Sequence, residues 1–383
     1  MIRNIAIFVL VVVIAATMGA FVLTMKQRKA KEDSLDKMHL AEAMLESQDY
    51  NGAVKNLLPV VERGKRFEQA DKALYLLAQT YEKLGAKEAI GLWRRIADEF
   101  PESVYRLEAR MNLANSLINE KPDEARSIYE DASKSSDDKI KEQALAGIAI
   151  SYATGDPEKA LSLFYQIVDA KPKNPNVEAA AKDFITKINS ERLWSPRLDE
   201  FCQLYSVQPG DSADKISDIY KTTSAFLCEA NNFKPNALKP GRQIKVPKEP
   251  FHIVVDKSNC RLNLLSQSGR FIKWYPVGIG TESYKTPAGE YVITTKQIDP
   301  KWYKPEGGVA EPGDPENALG VRWMGISTTD GQKTGLGIHG TNAPETIGFR
   351  KSAGCIRMYN EAVIELYKIV TYGTPVTIVE DME

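Results

Sequence analysis

The chain has 383 residues, which gives room for two to four domains and at least one sizeable hydrophobic core. Its 50 basic and 51 acidic residues leave a net charge of −1, and no stripe of Lys and Arg alternates with aromatic residues. The composition is that of an ordinary folded protein and argues against a nucleic-acid partner.

Residues 1–34 are predicted to be a transmembrane anchor followed by a juxtamembrane linker. The 21 residues from Ile5 to Met25 carry no charge and are mostly Ile, Val, Leu, Ala, Met and Phe, so this run is long enough to cross a lipid bilayer as a helix. A cleaved signal peptide is the alternative, but its apolar core is normally shorter, and no clean Ala-x-Ala site ends this run.

Residues 35–192 are predicted to form helical repeats. Apolar residues recur there at three- and four-residue steps, and four similar segments place an alanine after a turn, at Ala53, Ala89, Ala125 and Ala160. Their spacing of 35 to 36 residues resembles that of tetratricopeptide repeats. The resemblance implies an α-helical solenoid that presents a concave face to a protein partner. A spacer that holds the following domains off the membrane is the alternative.

Residues 204–248 are predicted to be a small module with the order strand, helix, helix, strand. A Gly-Asp-Ser helix start, apolar residues at helical spacing and a closing strand follow one another, and the whole segment resembles a LysM module. The resemblance implies binding of glycan that contains N-acetylglucosamine, through Gly210, Asp211, Asn231 and Asn232. Capping and turning are the alternative roles of these residues, and for Asp211 the capping role is favoured.

The four cysteines predict no metal site. Cys202 and Cys228 flank the start and the middle of the LysM-like module, and a disulfide between them is left open. Cys260 is predicted to be a buried strand residue. No Cys/His cluster has the spacing of zinc ligands, and no metal or other cofactor is expected.

Residues 250–380 are predicted to form a mainly-β domain. Short β-rich runs begin at Phe251, and a helix near the C-terminus precedes a last strand. Between residues 297 and 320 lies a long Pro- and Gly-rich loop of the kind that often acts as a lid. Its aromatic residues Trp302 and Tyr303 either line a substrate cleft or pack the loop down.

A histidine and a cysteine in this domain form a candidate nucleophile and base. The sequence His339-Gly340-Thr341 is followed, sixteen residues after the histidine, by Cys355. A thiolate attacks a carbonyl, and an imidazole takes the thiol proton and returns it to a leaving amine. Gly354 leaves room for a substrate backbone, and the N–H groups of Gly354 and Cys355 are the predicted oxyanion hole.

These motifs together resemble the L,D-transpeptidase family, whose catalytic domain is of the YkuD type. The Thr-Pro-x-Gly-Glu-Tyr run at 286–291 and the Asn-Ala-Leu-Gly run at 317–320 match further family motifs, with Ala318 departing from the usual proline. The resemblance implies that Cys355 is the nucleophile, that His339 is the general base, and that the carbonyl of Gly340 fixes the imidazole tautomer.

Other residues near the pair are candidates for substrate contact. Arg357 faces the same side as Cys355 if that segment is extended, and its cation would hold a substrate carboxylate or else brace the loop. Ser352 either hydrogen-bonds near the cysteine or caps the turn. Tyr284 and Thr286 are candidates for the wall of the cleft.

The implied reaction is acyl transfer on peptidoglycan stem peptides. The thiol forms a thioester at the third residue, D-Ala leaves, and an amine of another stem takes the acyl group to give a 3→3 cross-link. The alternatives are hydrolysis of the same thioester, attachment of a lysine-bearing protein to the wall, and a glycan-binding scaffold without catalysis.

The predicted location is the cell envelope, with residues 5–25 in the bilayer and the catalytic domain in the periplasm or outside the cell. Four basic residues lie in the segment 26–31, whereas only Arg3 and the amino terminus precede the apolar run. The positive-inside rule therefore predicts the opposite orientation. We nevertheless expect the catalytic domain to lie outside the cytoplasm, because two later segments resemble cell-wall modules.

Overall fold

The computed structural model describes the backbone of residues 2–382 and the side chains of residues 17–332 and 334–382. Its chain divides into two compact units. The first runs to residue 163 and includes residues 172–174, and the second contains residues 164–171 and the chain from Pro175 onward.

The helical region has the following elements: α1 (Ile2–Glu46), α2 (Tyr50–Val61), α3 (Ala70–Lys83), α4 (Glu88–Glu99), α5 (Arg106–Leu117), α6 (Pro122–Ala132), α7 (Asp138–Tyr152), α8 (Pro157–Asp169) and α9 (Pro175–Leu193). A proline opens each of α6, α8 and α9, where its missing N–H has no helical partner to lose. The side chain of Asp137 accepts hydrogen bonds from two of the first N–H groups of α7.

The repeat alanines lie where helices of the first unit approach closely. Ala53, Ala89, Ala125 and Ala160 are each no more than 3% exposed. Larger apolar residues such as Trp93 fill the space around them. Small side chains at these positions allow the helix axes to approach, which is why the alanine period marks the repeat.

The predicted anchor falls within α1. The side chains of its residues 5–16 lie outside the described residues. Within the part of the chain that the structure describes, no helix combines the length and the apolar character needed to cross a membrane.

The last predicted repeat helix, α9, belongs to the second unit. It packs along strand β5 (Phe271–Gly280). Asn189 donates a hydrogen bond to the carbonyl of Ile272 at 2.7 Å, and the indole of Trp274 donates to Asp183 at 2.8 Å. The compact helical unit therefore ends earlier than the predicted boundary at residue 192.

The LysM-like segment has the predicted order of elements. Strand β1 (Cys202–Ser206) pairs antiparallel with β2 (Gln243–Pro247), and α10 (Ala213–Ile219) and α11 (Ser224–Ala230) lie between them in the chain. The side chain of Ser212 accepts from the N–H of Lys215 and caps α10.

The remaining elements are β3 (Phe251–Asp256), β4 (Arg261–Ser266), β5, β6 (Gly289–Ile298), β7 (Trp302–Tyr303), β8 (Val309–Ala310), β9 (Arg322–Thr328), β10 (Lys333–His339), β11 (Arg350–Ser352), β12 (Ile356–Met358), α12 (Asn360–Ile369) and β13 (Pro375–Val379). The strand order is β11-β5-β12-β10-β9-β6-β13-β3-β4, and β4 pairs again with β5. The sheet therefore closes on itself through β5: the first half of this strand pairs with β4, and its second half pairs with β12 and β11.

One hydrophobic core runs through the LysM-like segment and the β-domain. Phe226 of α11 is fully buried and meets the ring of Phe251 edge to face at 5.9 Å. At the other end of the contact, Thr222 and Thr223 donate hydrogen bonds to the last carbonyls of α12. The two segments are therefore packed together as parts of one unit.

Candidate active site

The pairing of β10 with β12 brings the histidine and the cysteine together. The two strands are parallel, with His339 opposite Arg357. Cys355 and Gly337 each lie two residues earlier, so Cys355 is beside Gly337. Because side chains two residues apart project from the same face, Cys355, Arg357 and His339 share one face of the sheet. Two segments that are distant in sequence thus place Cys355 and His339 on the same face of adjacent strands.

The imidazole of His339 is buried and held on one side by backbone. It is 3% exposed, and its Nδ1 lies 2.6 Å from the carbonyl oxygen of Gly340. With Nδ1 donating to that carbonyl, Nε2 carries the lone pair. The ring of Trp323 stacks on the imidazole with centroids 5.6 Å apart and fills the space over Gly337. A side chain at position 337 would collide with the indole, so glycine is required there.

Burial makes both groups neutral near pH 7. It lowers the pKa of His339 to about 4, and the Arg357 cation acts in the same direction, against the carbonyls of Gly340 and Leu319. Burial also raises the pKa of the Cys355 thiol, although the Gly337 N–H and Arg357 oppose that shift. Both pKa shifts therefore favour the neutral thiol and the neutral imidazole at pH 7.

The loop that carries Cys355 is braced from within. Ser352 is 3% exposed; its hydroxyl donates to the carbonyl of Cys355 at 2.6 Å and accepts from the Gly354 N–H at 3.1 Å. Gly354 has a φ of +113°, a conformation that side-chain-bearing residues rarely adopt. The Ser352 hydroxyl therefore stabilises the loop, and the Gly354 N–H already has a hydrogen-bond acceptor and does not point at a substrate.

Thr286 fixes the peptide that precedes the thiol. It is 1% exposed, its hydroxyl accepts from the Gly280 N–H at 2.9 Å, and it donates to the carbonyl of Gly354 at 2.7 Å. A trans peptide points its C=O and N–H in opposite directions, so the Cys355 N–H is directed away from Thr286. This orientation leaves the Cys355 N–H as the stronger candidate of the two predicted oxyanion donors.

Arg357 supplies a positive charge beside the pair. Its side chain is half-buried, and its Nε is buried with no hydrogen-bond partner among the described residues. Within that same set of residues, no carboxylate forms an ion pair with this guanidinium. A cation held without a protein counter-charge is suited to an anionic group of a ligand.

The predicted lid contains a short hairpin in which β7 pairs with β8. Asn317 holds the two ends of this loop together: its buried amide donates to the carbonyls of Pro300 and Glu311 and accepts from the N–H of Leu319. Trp302 is half-buried and Tyr303 is 73% exposed. No described hydrogen bond or ring contact joins either aromatic side chain to the thiol or the imidazole.

The four predicted glycan contacts differ in their exposure and in their hydrogen bonds. Asn231 is buried, and its amide bridges α11 and β2 by donating to the carbonyls of Leu227 and Lys245 and accepting from the Lys245 N–H. This corrects its expected role, because both N–H groups of the buried amide are used within the module and Asn231 bridges two elements instead of facing a sugar. Gly210 and Asn232 are exposed. Asp211 accepts from the Gln208 N–H at 2.7 Å and from the Tyr205 hydroxyl, so it stabilises the turn, as the sequence favoured, while Ser212 caps α10.

The cysteines outside the site are buried free thiols. None of the three, Cys202, Cys228 and Cys260, forms a disulfide. The Cys202–Cys228 disulfide that the sequence left open is therefore not present in this structure. Among the residues that the structure describes, no group of three or more His, Cys, Asp or Glu side chains is placed to hold a metal ion.

Several residues of the site carry no signal in the sequence pattern. Trp323 stacks on the base, Gly337 donates its N–H toward the thiol, and Asn360 at the start of α12 bonds to the turn that follows His339. Of the cleft-wall candidates, Thr286 is buried in the nucleophile loop and Tyr284 is 66% exposed.

A β-domain that carries a thiol and a tautomer-fixed imidazole on one face of adjacent strands has the two groups that nucleophile–base catalysis requires. Residues 250–378 match the family model of the L,D-transpeptidase catalytic domain, residues 205–247 match the LysM domain, and residues 72–103 match the tetratricopeptide repeat.

The chain belongs to the L,D-transpeptidase family. It is 36% identical over 180 residues to a putative L,D-transpeptidase, YkuD, of Bacillus subtilis, a match that covers 45% of this chain and 97% of that protein. A putative L,D-transpeptidase of Bacillus licheniformis is 34% identical over 46% of this chain and 98% of its own length. The solved catalytic domain of an E. faecium L,D-transpeptidase is 27% identical and covers 34% of this chain and 98% of its own, with a TM-score of 0.27.

Proposed function

We propose that Cys355 is the nucleophile and His339 the general base of a transpeptidation that cross-links peptidoglycan stems in the cell envelope. The observation that carries this proposal is the alignment of the two residues on adjacent parallel strands, with His339 Nδ1 held by the Gly340 carbonyl. The tautomer presents the free Nε2 lone pair as the proton acceptor.

In the first half-reaction the thiol sulfur attacks the carbonyl between the third residue of a tetrapeptide stem and its terminal D-Ala. His339 takes the thiol proton as the C–S bond forms, and the Cys355 N–H stabilises the oxyanion. The tetrahedral intermediate then breaks its C–N bond, and the imidazolium protonates the leaving amine of D-Ala. A thioester on Cys355 and a neutral imidazole remain.

In the second half-reaction the side-chain amine of another stem's diamino acid attacks the thioester. His339 accepts the amine proton and returns it to the departing sulfur, which restores the neutral pair and leaves a 3→3 amide cross-link. Because burial lowers the pKa of His339, the imidazole is unprotonated at neutral pH and available to accept a proton in each half.

Arg357 is proposed to hold a carboxylate of the stem peptide. Its guanidinium lies on the face of the sheet that carries the thiol and has no described protein counter-charge. A charge-assisted hydrogen bond there would orient the scissile carbonyl toward sulfur. Trp302 and Tyr303 are proposed to contact the stem from the lid hairpin.

The remaining segments are proposed to place the enzyme at its polymeric substrate. Residues 5–25 would anchor it in the membrane, and the LysM segment would bind glycan through the exposed loops at Gly210 and Asn232. The helical repeats would bind a protein, for which an apolar groove of about 390 Å³ lined by Leu77 and Tyr81 offers a surface.

Product analysis tests this function. The full chain, purified in detergent, is incubated with disaccharide tetrapeptide, and the products are read by mass spectrometry beside a Cys355→Ala control. Dimers that have lost one D-Ala support transpeptidation. Tripeptide monomers alone would establish an L,D-carboxypeptidase instead, because water and amine resolve the same thioester. Unchanged substrate in both samples would favour a glycan-binding scaffold.

A further inference from the structure

The side chain of Asn360 forms two hydrogen bonds with the turn that follows the catalytic histidine. Asn360 is the first residue of α12. Its Oδ1 accepts from the N–H of Thr341 at 3.1 Å, and its Nδ2 donates to the carbonyl of Thr341 at 3.0 Å. One amide thus satisfies both backbone groups of a single residue, a geometry that fixes the position and the rotation of that residue.

The Thr341 N–H belongs to the peptide unit whose carbonyl orients His339. That unit consists of the Gly340 C=O and the Thr341 N–H, and it is planar. Oδ1 of Asn360 holds its N–H end, and Nδ1 of His339 donates to its C=O end at 2.6 Å. Because the plane is rigid, holding one end fixes the direction of the other. Hydrogen bonds at both ends also polarise the peptide in the same sense.

Two glycines make the slot that admits the Asn360 amide. A Cβ on Gly340 would lie 2.2 Å from Oδ1 of Asn360, and one on Gly320 would lie 2.4 Å from the same atom. Gly320 also has a φ of +61°. The Asn360 side chain therefore explains the glycine of His-Gly-Thr, whereas the glycine of Asn-Ala-Leu-Gly is required by that side chain, by the backbone of Gly340 and Thr341, and by its own positive φ.

The helix behind Asn360 is itself held in place. Val363, Leu366 and Ile369 of α12 are fully buried in the core of the second unit. At its far end, Thr222 donates to the carbonyl of Ile369 at 3.0 Å. A side chain on the first turn of so firmly packed a helix can serve as a fixed reference for the catalytic turn.

We propose that Asn360 is a positioning residue that orients His339 through the Gly340–Thr341 peptide. The three parts act in series: the Asn360 amide holds the peptide plane, the Gly340 carbonyl receives the Nδ1 proton, and Nε2 faces the thiol as the base. In other sites of this kind, a side chain that is hydrogen-bonded directly to the base holds it in position. Here the Asn360 side chain acts on the imidazole through the Gly340–Thr341 peptide, an arrangement that we call the relay. This inference rests on the assignment of His339 as the general base.

The test compares Asn360→Ala, Asn360→Asp and Asn342→Ala in the full chain. Asn342 lies on the same turn but is exposed, and its amide donates instead to the carbonyl of Pro315. We expect kcat of Asn360→Ala to fall by about 10–100-fold with little change in KM, since the imidazole is misaligned after substrate has bound. Asn342→Ala should remain close to wild type.

Asn360→Asp keeps the shape of the side chain and the acceptor for the Thr341 N–H, but it loses the donor to the Thr341 carbonyl. Its carboxylate introduces a negative charge near the base and so raises the proton affinity of the imidazole. The acid limb of the kcat/KM profile should therefore move to higher pH. Circular dichroism and thermal unfolding report whether each variant is folded, and ¹⁵N NMR of the histidine ring reports whether Nδ1 still carries the proton.

The outcomes are distinct. Folded Asn360 variants with the kcat, pH profile and Nδ1–H tautomer of wild type would overturn the positioning role while leaving the proposed function intact. A lowered kcat together with a shifted profile in Asn360→Asp would support it. If wild type makes no cross-linked or trimmed product, the proposed function itself fails, and the ring NMR of Asn360→Ala still decides whether the relay sets the tautomer.

Discussion

Replacing the buried base with asparagine should make the protein less sensitive to acid. His339 has a pKa of about 4 in the folded chain, against about 6.5 in an unfolded one. Between these values the unfolded state binds more protons, so the free energy of unfolding falls as the pH falls. The full loss is about 3.4 kcal/mol, reached below pH 4, and the loss from pH 7 to pH 5 is about 2 kcal/mol.

Equilibrium urea unfolding of wild type and His339→Asn at pH 7 and pH 5 measures this loss. Four of the five tryptophans, all except Trp93, lie in the second unit, so fluorescence reports mainly on that unit. The asparagine amide retains a donor for the Gly340 carbonyl but does not titrate. The difference in unfolding free energy between the two proteins should therefore change by about 2 kcal/mol in favour of the variant between pH 7 and pH 5.

Taking the difference between two proteins cancels the other titrating groups. His252→Asn is the matched control: burial lowers the pKa of this half-buried ring too, but the nearby Glu290 opposes it, and we expect the same sign with a smaller size. A change below about 0.5 kcal/mol for His339→Asn, or one of opposite sign, would refute the reasoning that burial keeps the base neutral.

Three further predictions follow from individual contacts. Arg357→Met should raise the pKa of both His339 and Cys355, since the cation lowers both, so the acid limb of kcat/KM should move to higher pH. Loss of the guanidinium should also raise KM for the stem by about 10–100-fold. A pH profile and a KM like those of wild type would contradict this prediction. Thr286→Val should lower kcat and destabilise the fold by about 1–3 kcal/mol, measured by kinetics and urea unfolding, because the Gly354 carbonyl loses its donor; Thr286→Ser should recover both. Lys245→Met should cost about 3–5 kcal/mol in urea unfolding, because Asp199 loses its buried counter-charge and three backbone carbonyls, those of Arg192, Ser195 and Arg197, lose their donor; Asp199→Leu in the same chain should recover only the part of the loss that comes from the charge.

The features that the sequence reveals are those carried by local pattern. The alanine period identifies the helical repeats because one small residue per repeat sits at each close helix contact. Cys355 and His339 could be predicted because their flanking residues form recognisable motifs. In both cases the information lies in neighbouring residues along the chain.

Other features depend on contacts that no local pattern records. Thr286 reaches the Gly354 carbonyl across 68 residues, and Asn360 reaches the Thr341 backbone across 19. Both contacts follow from strand register and helix docking, which are set by the whole core. Asn231 shows the same limit: its motif identifies the module, but whether an amide faces solvent or bridges two elements depends on packing.

The extent of the helical unit was also beyond sequence reasoning. The helical pattern continues from α8 into α9 without a break in composition, so a single helical domain to residue 192 is the natural prediction. The structure shows α9 packed on β5, where Asn189 and Trp274 make hydrogen bonds across the contact. Amphipathic periodicity specifies that a helix has a buried face, but not which element covers it.

The most direct test of the account is to identify the residue that carries the acyl group. The full chain is mixed with disaccharide tetrapeptide, quenched in acid within seconds, and analysed by intact mass and peptide mapping beside Cys355→Ser. The account predicts an adduct of the substrate minus D-Ala on the peptide that contains Cys355, and no adduct or cross-linked dimer with the serine variant. An adduct on any other residue, or cross-linked dimers made by Cys355→Ser at the wild-type rate, would contradict it.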